Sequence, residues 1–206
     1  MVSLLRTIRL DASDAILFQP AAEPGEWAVT GGFLFHGRRF ESLTRKDRVA
    51  FRSAFLGIDS FGFSTLAVVT PATQAEIRAA TECLAAGFVA RLGAPDLETA
   101  RRAAADEIAF AADLCRGHDQ GRLIALHREE GEDGQITERF RALRPREGSV
   151  WAAPGMAGHE RPFQFVETGD PAGEDPAGKA RAADADAGPF DIFSAARGAD
   201  PAQGGQ

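Results

Sequence analysis

The chain has 206 residues, a formal net charge of -7 and two cysteines, which are too few to form a disulfide framework. Its acidic balance argues against nonspecific nucleic-acid binding as the main task. The longest apolar runs are only a few residues, such as Leu66–Val69, whereas a membrane span needs about 20 residues. The first residues contain no apolar stretch typical of a signal peptide, so we expect a cytoplasmic protein.

The composition changes at about residue 152. Residues 1–150 hold 19 Lys and Arg against 21 Asp and Glu, and residues 151–206 hold 4 against 9, so the net charges are -2 and -5. The second part is rich in Ala, Gly, Pro and Asp, and buries too little apolar surface to offset its ordering entropy. We predict a globular domain over residues 1–151 and a mostly disordered acidic tail over residues 152–206, with a short apolar motif at 189–193.

The N-terminal segments favour strands. Ser3–Leu10 alternates in the way typical of a half-buried strand, and Ala15–Gln19 is predicted to return as the second strand of a hairpin. Trp27–Phe35 is also strand-like, but Gly31 and Gly32 in its middle indicate a bulge or a close backbone approach.

A helix is predicted from Thr44 to Leu56, because Thr44 and Asp47 have the spacing of a capping box. The side chains predicted to face the core are Phe51, Ala54 and Phe55. The residues of a basic stripe on the opposite side are Arg45, Arg48 and Arg52. A solvated helix face is the simplest interpretation of this stripe, although it can also meet an acidic partner, a nucleotide phosphate or the acidic tail.

The remaining elements indicate a sheet with an αα-hairpin. Phe63–Thr70 is apolar and β-branched and is predicted to be a central strand. Two capped helices follow, over Thr73–Leu92 and Asp96–Arg116, and then a hairpin of Arg122–Glu129 with Ile136–Leu143. This order predicts an α+β fold, with a largely antiparallel sheet on which an αα-hairpin and one further helix pack.

The loop Gly57–Thr65 is the candidate ligand site, because it combines small polar groups, aromatic rings and glycines. Its candidate binding residues are Asp59, Ser60, Phe61, Phe63 and Ser64. The alternative is that the two rings plug the core and the polar groups satisfy turns. No catalytic residue is assigned, because Ser60 lacks the context of a nucleophile elbow and the chain has no phosphate-binding loop motif.

Cys83, Cys115 and His118 invite a metal interpretation, because C-x-x-H is a known ligand spacing. Folding the two helices back on each other would separate the cysteines by about 13 Å at 1.5 Å per residue, which is too far for one metal. We therefore predict packed core thiols, no metal site and no cofactor. His127 lies in an alternating strand and is predicted to be partly buried.

The tail carries the candidate docking residues Phe190, Ile192 and Phe193. Three large apolar side chains at the end of a flexible acidic spacer are typical of a short peptide that orders when it binds. The other interpretation is a solubilising extension.

Four segments resemble a small family of uncharacterised proteins from alphaproteobacteria. They are RTIRLD (Arg6–Asp11), EPGEWAVTGGF (Glu23–Phe33), FRSAFLGIDSFGFSTL (Phe51–Leu66) and GAPDLETARRAAADEIAFAADLC (Gly93–Cys115). The resemblance covers about residues 3–145 and excludes the tail. Genes of this family lie near those of molybdenum-dependent formate dehydrogenases, which implies an accessory or assembly role and supplies no catalytic residue.

The leading hypothesis is a non-catalytic accessory or binding protein with a protein partner, which assists assembly of a metalloenzyme complex. A second hypothesis is a small enzyme or small-molecule binder that uses the 57–65 loop, with His127 or Asp59 as its acid/base group. A third is a regulator that contacts nucleic acid through the basic patch at residues 38–52. The sequence leaves the oligomeric state open.

Overall fold

The computed structural model describes residues 2–10, 12–132, 134–145 and 165–167. The candidate residues Phe190, Ile192 and Phe193 lie outside this part of the chain, as does most of the predicted tail. The boundary at residue 152 therefore stays a prediction.

The described residues form eight strands, four α-helices and two 3-10 turns. The strands are β1 Val2–Ile8, β2 Trp27–Val29, β3 Phe55–Gly57, β4 Phe63–Ser64, β5 Leu66–Ala72, β6 Leu123–Glu130, β7 Ile136–Pro145 and β8 Phe165–Glu167. The helices are α1 Ser13–Leu17, α2 Arg45–Ser53, α3 Gln74–Leu92 and α4 Leu97–Leu114, and the 3-10 turns are Gly32–Phe35 and Phe40–Ser42.

All strands join one antiparallel sheet in the order β4-β3-β2-β1-β5-β6-β7-β8. The α+β fold with a largely antiparallel sheet is confirmed, and the predicted central strand is β5, between β1 and β6. β8 lies in the segment predicted as tail, where Phe165–Glu167 pairs with Leu143–Pro145 of β7.

The long helices follow their predicted caps. Thr73 and Glu76 form a reciprocal capping box at the start of α3, and Gly93 ends that helix in the left-handed region at φ 69°. Asp96 accepts a hydrogen bond from the backbone N–H of Thr99 at the start of α4. α3 and α4 pack together as the predicted αα-hairpin, and α4 lies against β1 and β2.

α2 packs on the same face of the β6–β7 hairpin as α4. The ring of Phe110 on α4 meets that of Phe140 at 5.9 Å, and Arg128 reaches the carbonyls at the end of α2. Arg128 and Phe140 share a face, because Arg128 pairs with Glu138, two residues from Phe140. Among the described residues, no helix combines the length and apolar character needed to cross a membrane.

The prediction of a strand at Ala15–Gln19 is wrong, because the short helix α1 occupies Ser13–Leu17. Asp14 is buried, and its carboxylate accepts hydrogen bonds from the backbone N–H and the hydroxyl of Thr65. This tertiary contact favours the helical turn over an alternating strand, and β1 instead pairs with β2 and β5.

The predicted strand Trp27–Phe35 is correct only over its first three residues. Gly31 takes a left-handed φ of 74°, and a Cβ there would lie 2.7 Å from the Cβ of Leu56. A Cβ on Gly32 would lie 2.7 Å from Oε1 of Glu138. The close backbone approach expected at these glycines is confirmed, and a 3-10 turn replaces the rest of the strand.

The helix predicted over residues 44–56 begins at its cap, Thr44, but ends earlier, at Ser53. Phe55 and Leu56 are fully buried and pair as β3, because a continuous apolar run at this position has sheet neighbours on both sides. Phe51, Ala54 and Phe55 face the core as predicted.

Candidate functional site

The loop at residues 57–65 is organised by Glu26, a residue that the sequence analysis did not select. Its Oε2 accepts hydrogen bonds from the backbone N–H groups of Asp59 and Ser60 and from the Ser60 hydroxyl, at 2.9–3.1 Å. Its Oε1 accepts the N–H of Glu23, and the side chain is buried. A buried carboxylate that accepts several N–H groups fixes the conformation of a turn.

Phe61 holds the other side of the loop. It is 8% exposed, and its backbone takes a left-handed φ of 55°. Its ring rests against Gly87 of α3, where a Cβ would lie 2.1 Å from the ring, and the Arg91 guanidinium lies 4.9 Å from the ring centre. Phe63 is half-buried between Phe18 and Phe35. These contacts are those of core plugs.

The remaining polar groups of the loop also have internal partners. The Ser64 hydroxyl is buried, and its single proton has three acceptors within hydrogen-bond distance, the carbonyl oxygens of Ile8 and Leu66 and a carboxylate oxygen of Asp14. Asp59 is exposed and accepts a hydrogen bond from Sγ of Cys83 at 3.2 Å. The five candidate residues are thus brought together as a structural turn, and ligand binding there stays a prediction.

Both cysteines have depressed acidity. Burial, followed by the hydrogen bond to Asp59, raises the pKa of the Cys83 thiol to about 11, and burial alone raises that of Cys115 to about 12. A thiol with a raised pKa is a poor nucleophile at neutral pH, because the thiolate is the reactive form. Cys115 is 4% exposed in the main core, as predicted for a packed thiol.

The basic stripe of α2 borders a groove of about 450 Å³, which we call the arginine groove. It is lined by Phe40, Leu43, Arg45, Arg48, Val49 and Arg52. Phe40 and Val49 are half-buried and Leu43 is buried, so the groove has apolar side chains between its guanidinium groups. The three predicted arginines therefore share one groove with these apolar side chains.

Phe40 carries two of these guanidinium groups. The guanidinium carbon of Arg52 lies 4.7 Å from the centre of the Phe40 ring and that of Arg48 lies 5.3 Å away. Arg48 is further fixed by hydrogen bonds to the carbonyls of Glu41 and Leu43. Arg45 and Arg52 are exposed, and Arg48 is half-buried, so the groove has one fixed and two accessible cations.

A second cleft, of about 710 Å³, also borders Phe40 and Arg52. It has mixed charge, because Glu129, Glu130 and Glu132 line it beside the arginine. His127 lies on its wall with 48% of its side chain exposed, and Nε2 is 3.3 Å from Oε1 of Glu129. The prediction that His127 is partly buried is wrong, because this face of β6 opens to solvent near the hairpin turn.

A buried ion pair anchors the groove to the sheet. The side chain of Arg128 is fully buried and its Nε donates to Oε1 of Glu138 at 2.6 Å. Its Nη1 donates to the carbonyls of Phe51 and Ala54 at the end of α2, and its Nη2 donates to that of Thr30. Burial lowers the pKa of the Arg128 guanidinium and the Glu138 carboxylate opposes that shift.

The sequence analysis did not select Arg128 as a buried residue, although it is 1% exposed. The strand alternation already put Arg128 on the side of Leu126, which is core-facing. The sequence signal for burial of Arg128 is its partner, because Glu138 lies directly opposite it in the register of the β6–β7 hairpin. An arginine beside a core position, facing a glutamate across the hairpin, indicates a buried pair.

Comparisons with known proteins add a family but no activity. No curated protein and no solved structure matches the chain. Residues 1–159 match the profile of a family of unknown function, DUF6505, and this stretch contains the loop, the arginine groove and the buried ion pair. By this match over most of its length, the chain belongs to the family of unknown function DUF6505.

Proposed function

We propose that this protein is a cytoplasmic, non-catalytic accessory protein that holds an acidic segment of a protein partner in the arginine groove. The observation that carries the proposal is the state of Arg45 and Arg52. In the described part of the chain both are exposed and neither forms an ion pair with a carboxylate. Exposed cations beside an apolar surface are available for an incoming ligand.

Other surface arginines contrast with these two. Arg38 pairs with Asp47, Arg101 with Glu82, and Arg139 with Glu129. Such pairs already have their charge partner and contribute little on their own. Arg45 and Arg52 have no such partner among the described residues and they line the groove, so an external carboxylate can pair with them there.

The chemistry of the groove favours a peptide over a nucleic acid. Guanidinium groups bind carboxylates with directional hydrogen bonds, and the half-buried Phe40 and Val49 offer apolar contact to side chains between those carboxylates. The neighbouring cleft carries Glu129, Glu130 and Glu132, which would repel a phosphate backbone that continued past Arg52. Binding of duplex DNA with a steep salt dependence would contradict this choice.

The resemblance to proteins encoded near molybdenum-dependent formate dehydrogenases supports a specific form of the proposal, in which the partner belongs to a metalloenzyme complex whose assembly this protein assists. The test is deletion of the gene in the native cell, with formate dehydrogenase activity and protein-bound molybdenum as readouts. We expect both to fall severalfold, and the wild-type gene to restore them.

The groove is tested by complementation with variants. Arg45→Glu combined with Arg52→Glu should fail to restore the activity, because it reverses both accessible cations. Arg78→Glu is the matched control, since Arg78 is exposed on α3 and lies outside the groove. Full restoration by the double variant would contradict a role for the groove, and unchanged activity in the deletion strain would contradict the link to formate dehydrogenase.

A further inference from the structure

We infer that the arginine groove also binds a segment of its own chain, Asp184–Phe193, and that a partner must displace this segment. The inference rests on the proposed function only because both place a ligand in the arginine groove. It identifies the groove's resident occupant and implies a form of autoinhibition in which the tail competes with the partner.

The segment has the composition that the groove requires. Its ten residues, DADAGPFDIF, contain three carboxylates and three large apolar side chains, and no Lys or Arg. The carboxylates are those of Asp184, Asp186 and Asp191, and the apolar side chains are those of Phe190, Ile192 and Phe193. The groove offers three guanidinium groups around Phe40, Leu43 and Val49. Charge and apolar surface are therefore matched on both sides.

The order of these residues fits a two-part contact. Asp184 and Asp186 precede the apolar cluster and can face the exposed cations Arg45 and Arg52. Asp191 sits between the apolar residues, so an extended segment would present it on the opposite side from its neighbours. An aromatic side chain of the segment can then lie on Phe40, whose ring is already oriented by Arg48 and Arg52.

The tether is long enough to reach the groove. From Glu167, at the end of β8, to Asp184 is a separation of 17 residues. A fully extended chain spans at most about 3.3–3.6 Å per residue, or roughly 55–60 Å here. A domain of about 150 residues has a radius of gyration of roughly 15 Å, so no point on its surface is out of reach.

Because the segment is tethered to the domain, even a weak affinity is sufficient for it to occupy the groove for much of the time. A short flexible linker gives an effective concentration of about 1 mM, so a segment with a dissociation constant of that order is bound about half of the time. A partner that binds the free groove with a micromolar dissociation constant would still displace it when present at several times that concentration, since the tail only lowers the free fraction of groove. At that occupancy the tail weakens the apparent affinity of every ligand of the groove about twofold.

The experiment uses the full chain, with p-benzoyl-phenylalanine in place of Phe193 as a photo-crosslinking probe. We expect the crosslinked peptide to contain residues 39–53, and the product to have the mass of a single chain. Arg45→Glu combined with Arg52→Glu should reduce this crosslink at least fivefold. Arg78→Glu, the matched control, should leave it unchanged, and raising the salt concentration should weaken it.

A charge swap separates recognition from misfolding. In the double-glutamate background, replacing Asp184, Asp186 and Asp191 with Lys should restore the crosslink, which a collapsed groove could not do. The inference is overturned if the crosslink maps elsewhere on the domain, joins two chains, or survives the double variant unchanged. If that happens while complementation still depends on Arg45 and Arg52, the proposed function stands and only the tail's role is wrong.

Discussion

At the residue scale, the most consequential single side chain is Arg128. It links Glu138 of β7, the carbonyls at the end of α2 and the carbonyl of Thr30, and all of these contacts are buried. A buried ion pair adds little when compared with apolar residues of the same volume, but removal of one partner leaves an uncompensated charge. The contacts of Arg128 therefore fix the position of α2, and with it that of the arginine groove, on the sheet.

We predict that Arg128→Met lowers the free energy of unfolding by about 3–5 kcal/mol, because it leaves the Glu138 carboxylate buried without its cation. Arg128→Met combined with Glu138→Leu should be more stable than Arg128→Met alone. Urea denaturation of the two variants and the wild type gives the comparison. A double variant less stable than the single variant would contradict this account, because the unpaired Glu138 carboxylate would then not be what destabilises Arg128→Met.

Gly87 gives a second prediction at this scale, and the sign of the stability change caused by Gly87→Ala is its test. Gly→Ala inside a helix ordinarily stabilises by about 0.5–1 kcal/mol. At Gly87 the new Cβ would lie 2.1 Å from the Phe61 ring, so we expect Gly87→Ala to destabilise by about 1–3 kcal/mol. Combining it with Phe61→Leu should recover part of the loss in thermal melts. A stabilising Gly87→Ala would mean that the Phe61 ring and the 57–65 loop shift away from the new Cβ at little cost in free energy.

At the scale of the elements, the sequence predicted correctly those helix ends that are determined by interactions between residues close together in the chain. The Thr73–Glu76 box, the left-handed Gly93 and the Asp96 cap each satisfy backbone groups within a few residues, so their sequence pattern is sufficient. The strand predicted at Ala15–Gln19 is replaced by the helix α1, because the Asp14 carboxylate accepts a hydrogen bond from Thr65, 51 residues further along the chain. α2 ended early for a similar reason, since Phe55–Gly57 gains sheet neighbours from β2 and β4.

The caps of α3 and α4 make a prediction about acid stability. The Thr73 backbone N–H lowers the pKa of Glu76, and the Thr99 backbone N–H lowers that of Asp96. A carboxyl whose pKa is lower in the folded state stabilises the fold above its unfolded pKa, and this contribution is lost as the pH falls through the folded value. The αα-hairpin should therefore weaken in the acid range, below the ordinary carboxyl pKa.

The measurement is thermal unfolding as a function of pH for the wild type and Asp96→Asn. Asparagine can still accept the Thr99 N–H but does not titrate. The wild type should lose its advantage over the variant as the pH falls below about 4, where an unfolded Asp begins to take up its proton. A constant difference between the two proteins down to pH 2 would show that the Asp96 charge contributes nothing.

At the scale of the whole molecule, the sequence predicted which residues could form a surface but not what they rest on. The spacing of Arg45, Arg48 and Arg52 identified one helix face, yet Phe40 precedes the helix and nothing local places its ring under those guanidinium groups. Glu26 was missed for the same reason, since it lies more than thirty residues from the N–H groups that it accepts. Contacts between distant segments decide both features.

The last prediction concerns how much of the chain the fold needs. The buried residues of both apolar clusters lie between Leu4 and Phe140, and the only described element beyond residue 145 is the three-residue strand β8. A strand that short adds a few backbone hydrogen bonds, each worth about 0.5–1.5 kcal/mol, at the end of the sheet. A chain ending at Pro154 should therefore fold and melt within a few degrees of the full chain.

A chain ending at Gly169 keeps β8 and is the matched control. If the shorter chain alone fails to fold, β8 completes the sheet, because β7 would then depend on its outer partner. If both truncations fail, residues beyond 169 contribute to stability in the free protein, as a segment seated in the arginine groove would.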